Sequence, residues 1–259
     1  MISSHLYQVR MTEYLVFRLF GPMASFGDVA VGQVRPSFDH PSKSAVLGLI
    51  GAALGVKRDE EEVHCAMADG YGFSVMLTLP GMRVVDFHTA QAPHSRAKKN
   101  APWVQTRSDE LQVDKNDIET ILSRREYLCD MVVTVCLWCT NDKDLFSLTA
   151  IRDALISPKF VLYLGRKSCP VSLPVQAQII EAPSVMSAYD MATFDESLFS
   201  GVFRFPDTVR VFYEADCDAG FTGIVTEVRQ WDQVRSRKRW QFSERREKSV
   251  FAPAPVRRA

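Results

Sequence analysis

The sequence predicts an α+β fold: a ferredoxin-like (RRM-like) β-α-β-β-α-β core with an inserted thumb hairpin and a smaller C-terminal β segment. Three observations predict it. Strand-like and helix-like stretches alternate in that order as far as Ala182. A long polar stretch interrupts the alternation between its halves. A hydrophobic content of 46% over 259 residues suffices for a full core. The expected divisions are an N-terminal extension (1–10), the ferredoxin-like domain (11–182) with its thumb at about 89–124, and a β-rich segment with a basic tail (183–259).

"EYLVFRLF" (Glu13–Phe20) reads as the first strand. Leu15, Phe17 and Leu19 alternate toward a core, and Tyr14, Val16, Arg18 and Phe20 face the other way. "GPMASFG" (Gly21–Gly27) follows as a loop, where glycines and small residues permit a ligand to approach the backbone. Phe26 is available there to stack on a base; the alternative is that it is buried and the glycines only turn the chain. "HPSKSAVLGLIGAALGVKRD" reads as a helix capped by Ser42, with Leu47, Ile50 and Leu54 at helical spacing and Gly55 as its stop. Gly48 and Gly51 within it suit close approach to a sheet. "RPSFDHPSKS" delivers Arg35, Lys43 and Ser44 to the helix N-terminus, whose amides attract phosphate oxygens.

"YGFSVMLTL" (Tyr71–Leu79) is the next strand, Pro80-Gly81 a turn, and "MRVVDFHT" the returning partner of a hairpin. "MVVTVCLW" (Met131–Trp138) gives the strongest strand signal. "DLFSLTAIRDALISP" reads as a helix capped by Asp144, with Leu145, Leu148, Ile151 and Leu155 as its stripe. "FVLYL" and "VQAQIIEA" are further strands. Two helices on one sheet face leave the other face open, the face on which this fold binds RNA, with Arg18 as a candidate contact.

Between His88 and Arg125 the chain carries six basic and five acidic residues with a single tryptophan, too polar for core. Such a stretch projects as an arm that reaches a partner. The formal net charge of zero hides an asymmetry, since from Arg229 onward ten Lys/Arg oppose three Asp/Glu. "RQWDQVRSRKRWQFSERR" interleaves those cations with aromatics, as a phosphate-tracking surface does; a solvated strand pair is the alternative.

The chemistry-bearing motifs narrow the function. "GRKS" (Gly165–Ser168) offers Arg166, Lys167 and a hydroxyl to a phosphate. A Walker loop would need glycine where Phe160 stands, so a nucleoside triphosphate site is excluded. "LGLIGAALG" lacks the dinucleotide fingerprint. A basic loop suited to a phosphodiester survives, with a turn that pairs with acidic groups of a partner protein as its alternative. Cys136 and Cys139 form one Cys-x-x-Cys without a second pair at zinc spacing, so no metal or other cofactor is implied. Six dispersed cysteines suit reduced thiols in a cytoplasm. No apolar run nears the ~18 residues of a membrane span. A metal-independent endoribonuclease is the remaining catalytic option, with His88, His94, Lys98 and Lys99 as base, acid and phosphate-binding cations.

"YLVFRLFGPMASFG", "SKSAVLGLIGAALGVKRD", "DFHT", "RREYLCDMVVTVCLW" and "YLGRKSCPVSLPV" resemble, in this order, the Cas-five family of CRISPR-associated proteins found in the type I-E surveillance complex, Cascade. The resemblance runs from about Met11 to Val175, and "RWQFSERREKSVF" looks like the family's closing strand. It implies a non-catalytic subunit in antiviral defence that binds and caps the 5′ handle of the CRISPR RNA. The implied partners are that RNA, the backbone subunit CasC and the large subunit CasA, with target DNA reached only through the complex. In a sister subtype the homologous protein is itself the nuclease, which keeps the endoribonuclease as the alternative. By position, the backbone of Met23, Ala24, Ser25 and Phe26 would approach the handle, and Arg125 of "REYLCD" would contact RNA at the root of the thumb. Lys98, Trp103 and Arg107 fall within the thumb. The ten residues before Met11 have no family counterpart, so translation could start at Met11.

Overall fold

The computed structural model describes residues 11–95, 103–110, 112–140, 145–199, 201 and 203–255. Its strands are β1 (Thr12–Ala24), β2 (Phe26–Gly27), β3 (Val34–Arg35), β4 (Ser37–Phe38), β5 (Tyr71–Leu79), β6 (Met82–Pro93), β7 (Ile118–Cys139), β8 (Gln178–Ala182), β9 (Thr208–Glu214), β10 (Val225–Ser236) and β11 (Gln241–Pro253). The longer helices are α1 (Lys43–Leu54), α2 (Glu61–Gly70), α3 (Leu148–Ile156) and α4 (Val185–Met191). The chain divides into two compact units. One is built from the stretches up to Phe26, Phe38–Met82 and from Leu128 onward; the other from Gly27–Ser37 and Arg83–Tyr127. Among the described residues no helix is long and apolar enough to cross a membrane.

The larger unit is a mixed α+β structure on a large antiparallel sheet of order β10-β11-β9-β5-β7-β1-β8. The segment after Ala182 extends this same sheet, because β9 pairs with both β5 and β11. α1 begins at the Ser42 cap, whose side chain accepts from the Ala45 amide, and ends at Gly55 in the left-handed region (φ 84°). Its buried apolar side chains are Val46, Leu47, Leu49, Ile50 and Ala53, so the stripe lies slightly off the expected Leu47–Ile50–Leu54 line. Gly48 faces no strand: a Cβ there would meet the Arg237 guanidinium at 2.7 Å.

Four expectations are corrected. The second sheet face is not open: Tyr14, Val16, Met76 and Cys136 pack with Val185, Ala188 and Tyr189 of α4 in a core of their own. The chain beyond Pro183 folds back over that face, so both sides of β1 are buried and Arg18 lies 6% exposed. β5 and β6 do not form a hairpin, since the two edges of β5 are taken by β7 and β9, and β6 pairs with β7. "FVLYL" is not a strand; Phe160 and Val161 are exposed, and only an isolated bridge joins Tyr163 to Pro170. α3 starts later than expected, capped by Ser147 with Leu145 exposed, and Asp144 lies outside the described residues.

Candidate nucleic-acid interface

The smaller unit gathers the cations that best suit an RNA backbone. β3 and β7 run parallel there, with Val34 opposite Arg124 and Arg35 opposite Arg125. Paired residues share a face, so the Arg35 and Arg125 side chains leave the strands side by side, Arg35 exposed and Arg125 half-buried. The Arg125 Nε donates to Ser123 Oγ at 3.2 Å, which aims its guanidinium. The Arg35 guanidinium donates to the Gly32 carbonyl at 2.6 Å and the Val34 carbonyl at 3.0 Å. The neighbouring carboxylate, Glu126, is engaged elsewhere: it pairs with Arg83 and accepts from the Ser37 amide at 3.1 Å. Arg124, on the opposite face, lies 5.1 Å over the exposed Phe87 ring. Trp103 is 52% exposed, and Arg107 holds Glu110 at 2.8 Å and the Gln91 carbonyl at 2.6 Å. Lys98 and Lys99 lie outside the described residues.

The candidate acid and base do not converge. His88 Nε2 lies 2.6 Å from Asp86, and His94 Nε2 lies 3.2 Å from Asp117. His88 is within β6 and His94 just past its end, a run of roughly 20 Å along extended chain. An acid and a base must both reach one phosphodiester at hydrogen-bond distance, and this spacing does not serve that.

The larger unit rearranges the other candidates. Arg18 forms an ion pair with Glu196 at 3.1 Å and lies 4.1 Å over the Phe194 ring, inside the second core. Lys43 is buried with its Nζ 2.6 Å from Glu214, and its amide donates to Asp232 at 2.8 Å. An internal carboxylate thus occupies the helix N-terminus where a phosphate was expected; Ser44 is half-buried beside it. "GPMASFG" is not a loop: Met23 and Ala24 continue β1 opposite Cys129 and Leu128, and the Ser25 amide donates to the Leu164 carbonyl at 3.0 Å. Phe26, 5% exposed, is packed and cannot stack on a base. In "GRKS", Gly165 has φ 83° and lies against the Ser25 carbonyl, and the Cys169 amide closes the turn on the Arg166 carbonyl at 2.9 Å. Lys167 is exposed, whereas Arg166 is half-buried with its Nη1 out of solvent, so the two do not project together.

Sequence reasoning missed a buried charge network. His40 stacks on Phe212 at 3.7 Å, and its ring nitrogens meet Asp39 at 2.5 Å and Glu247 at 2.9 Å. Glu247 also takes Arg245 at 2.6 Å, and Arg245 holds Asp232 at 2.9 Å. Burial works against a charged His40, but its bonds to Asp39 and Glu247 together outweigh burial and raise its pKa. Burial likewise opposes ionised Glu247, yet His40 and Arg245 hold its carboxyl below the usual range. The available signal was the two-residue spacing of Arg245 and Glu247, which places both on one face of β11.

The family model described as CRISPR-associated protein (Cas_Cas5) matches residues 14–247. CRISPR system Cascade subunit CasD of Escherichia coli (strain K12) is 32% identical over 175 residues, covering 64% of this chain and 70% of that protein. A chain of a CRISPR RNA-guided surveillance complex superposes with a TM-score of 0.62 at 26% identity, over 94% of this chain and 91% of that one. A crystal structure of a Cas protein shares the fold, with a TM-score of 0.55 at 23% identity over 93% and 97% of the two chains. A family match that runs from Tyr14 to Glu247, and so takes in residues of both units, makes this chain a member of the CRISPR-associated Cas-five family.

Proposed function

We propose that this chain is a non-catalytic subunit of a type I-E CRISPR RNA-guided surveillance complex in antiviral defence, which binds and caps the 5′ handle of the CRISPR RNA in the cytoplasm. The observation that carries the proposal is the register of Arg35 with Arg125 in the smaller unit, where two guanidinium groups leave one face of a sheet. Guanidinium groups bind phosphate oxygens bidentately, and a pair of them spans neighbouring phosphates of a single strand. Similarity to the CasD subunit supports the assignment of the complex. In this reading β8-β1-β7-β5 with α1 and α3 is a ferredoxin-like core, the smaller unit is the thumb, and exposed Trp103 and Phe87 offer surfaces for bases. The backbone subunit CasC and the large subunit CasA are the neighbours it bridges, and target DNA is met only through the assembly.

Arg125→Ala tests this with labelled 5′-handle RNA and with pull-down of CasC and CasA. The expected result is about 10- to 100-fold weaker handle binding, the loss of one charge-assisted contact, with an unchanged thermal midpoint. Undiminished binding and assembly would remove Arg125 from the site. Incubation of repeat RNA with the purified chain in EDTA should leave it intact; a discrete cut lost on His88→Ala or His94→Ala would establish the endoribonuclease instead.

A further inference from the structure

The hairpin of β10 and β11 turns through Arg237, Lys238, Arg239 and Trp240, closed by the pairing of Ser236 with Gln241. Turns of this length end on a residue with positive φ, a position where glycine or asparagine is usual. Here the residue is Trp240, with φ 57° and an indole 60% exposed. A bulky side chain in the left-handed region is disfavoured and persists where its surroundings or its use hold it there.

The surroundings are cationic. The Arg58 guanidinium lies 5.1 Å over the Trp240 ring and that of Arg237 5.5 Å over it, with Phe242 edge-on at 5.4 Å. Arg58 Nε donates to the Arg237 carbonyl at 3.2 Å, which ties α2's leading loop to the turn. Among the described residues no carboxylate forms an ion pair with Arg58, Arg235, Arg237, Lys238 or Arg239. Glu61 accepts from the Ser236 hydroxyl and the Lys238 amide at 2.8 and 2.6 Å and lies near enough to feel the Lys238 and Arg239 charges, without an ion-pair contact to either. The Arg237 Nε is buried without a hydrogen-bond partner among the described residues. Arg237 also donates to the Ser44 carbonyl at 2.5 Å, but two guanidinium groups that share one ring without an ion-paired carboxylate repel each other, and an anion beside them would ease that repulsion.

We propose that this hairpin tip is a platform for single-stranded nucleic acid, with a base stacked on the exposed part of the Trp240 indole and phosphates held by Arg58, Lys238 and Arg239. Cations around a presented indole match the alternation of base and phosphate along a strand. A protein partner would have to bring both carboxylates and an aromatic-lined groove to the same turn. The platform belongs to the larger unit, whereas Arg35 and Arg125 belong to the smaller, so the two sites are separable by mutation.

The test uses the full chain carrying Arg125→Ala, so that the proposed handle contact does not contribute. Fluorescein-labelled dodecamers of uridylate and of thymidylate are titrated by anisotropy. Saturable binding is expected, weakened about 10-fold or more by Trp240→Asn, as loss of a stacking platform requires. The same substitution should leave the thermal midpoint unchanged or raise it, because asparagine accepts the left-handed backbone. Binding of uridylate alone would assign the platform to RNA, of thymidylate alone to DNA, and of both to either strand. A Lys238→Gln/Arg239→Gln variant, with Trp240 kept, should reduce the log–log salt slope by about 1.4. No binding by the Arg125→Ala chain, or equal affinity with and without Trp240→Asn, would overturn the proposal.

Discussion

His40 bears a carboxylate on each ring nitrogen, an arrangement that favours the protonated ring, whose two N–H groups both donate. Its folded pKa is raised, so its stabilisation is complete below the unfolded value of about 6.5 and is lost as pH climbs through the folded value. Asp39 and Glu247 have lowered folded values, so their contribution is complete above the ordinary carboxylate range of about 4 and is lost as pH falls through the folded values. This cluster therefore stabilises most between about pH 4.5 and 6.5. The thermal midpoint should decline from pH 6.5 toward 9, and His40→Gln should flatten that decline; equal slopes in the two proteins would acquit the cluster. Arg245→Ala leaves Asp232 and Glu247 buried beside a lost cation and should cost about 3–5 kcal/mol in a denaturant titration. Of this network only the two-residue spacing of Arg245 and Glu247 was legible in the sequence. "DHPSKS" was read as a place for phosphate because the sequence shows Lys43 and not the Glu214 and Asp232 that it meets.

The turn between Tyr163 and Pro170 shows the same lesson in a short segment. "GRKS" was legible as a glycine turn, and Gly165 does adopt φ 83°. What it packs on was not legible: a Cβ there would lie 1.9 Å from the Ser25 carbonyl oxygen. Gly165→Ala combines a strained backbone with a backbone clash and should destabilise by about 2–4 kcal/mol, read as a lowered midpoint in urea. Strands and helices with strong periodicity were placed well, as with Tyr71–Leu79 and the Ser42 cap of α1. Those whose neighbours decide their state were not. "FVLYL" is apolar enough for a strand, but the amides of Lys159 and Phe160 donate to the Ala53 and Ala52 carbonyls at the end of α1.

Charge is segregated along the whole chain: the run from Arg229 onward is strongly basic and the remainder acidic. Folding uses part of that excess internally, since Arg245 is buried and Arg229 and Arg246 meet Glu244, Asp216 and Glu227. Among the described residues, what is left outward of that run lies at the hairpin tip, in Arg235, Lys238 and Arg239, and the smaller unit presents cations of its own in Arg35 and Arg125. Binding of handle RNA should therefore weaken with salt, by a log–log slope of about −0.7 per phosphate neutralised. Arg125→Ala should reduce that slope by about 0.7, and a slope unchanged by the substitution would mean that Arg125 meets no phosphate.

Family membership, the α+β class, the order of the main strands and helices and the basic character of the C-terminal hairpin all follow from local pattern: periodicity, caps, turn residues and motif order are properties of neighbouring positions. The closure of the second sheet face, the partners of β5 and β6, the burial of Arg18, Lys43 and Phe26, and the register that sets Arg35 beside Arg125 do not. Each depends on a residue far away in the chain, such as Glu196 for Arg18 or Glu214 for Lys43. A charge reads the same in sequence whether it meets water, a carboxylate or a phosphate, and burial is fixed when distant segments pack.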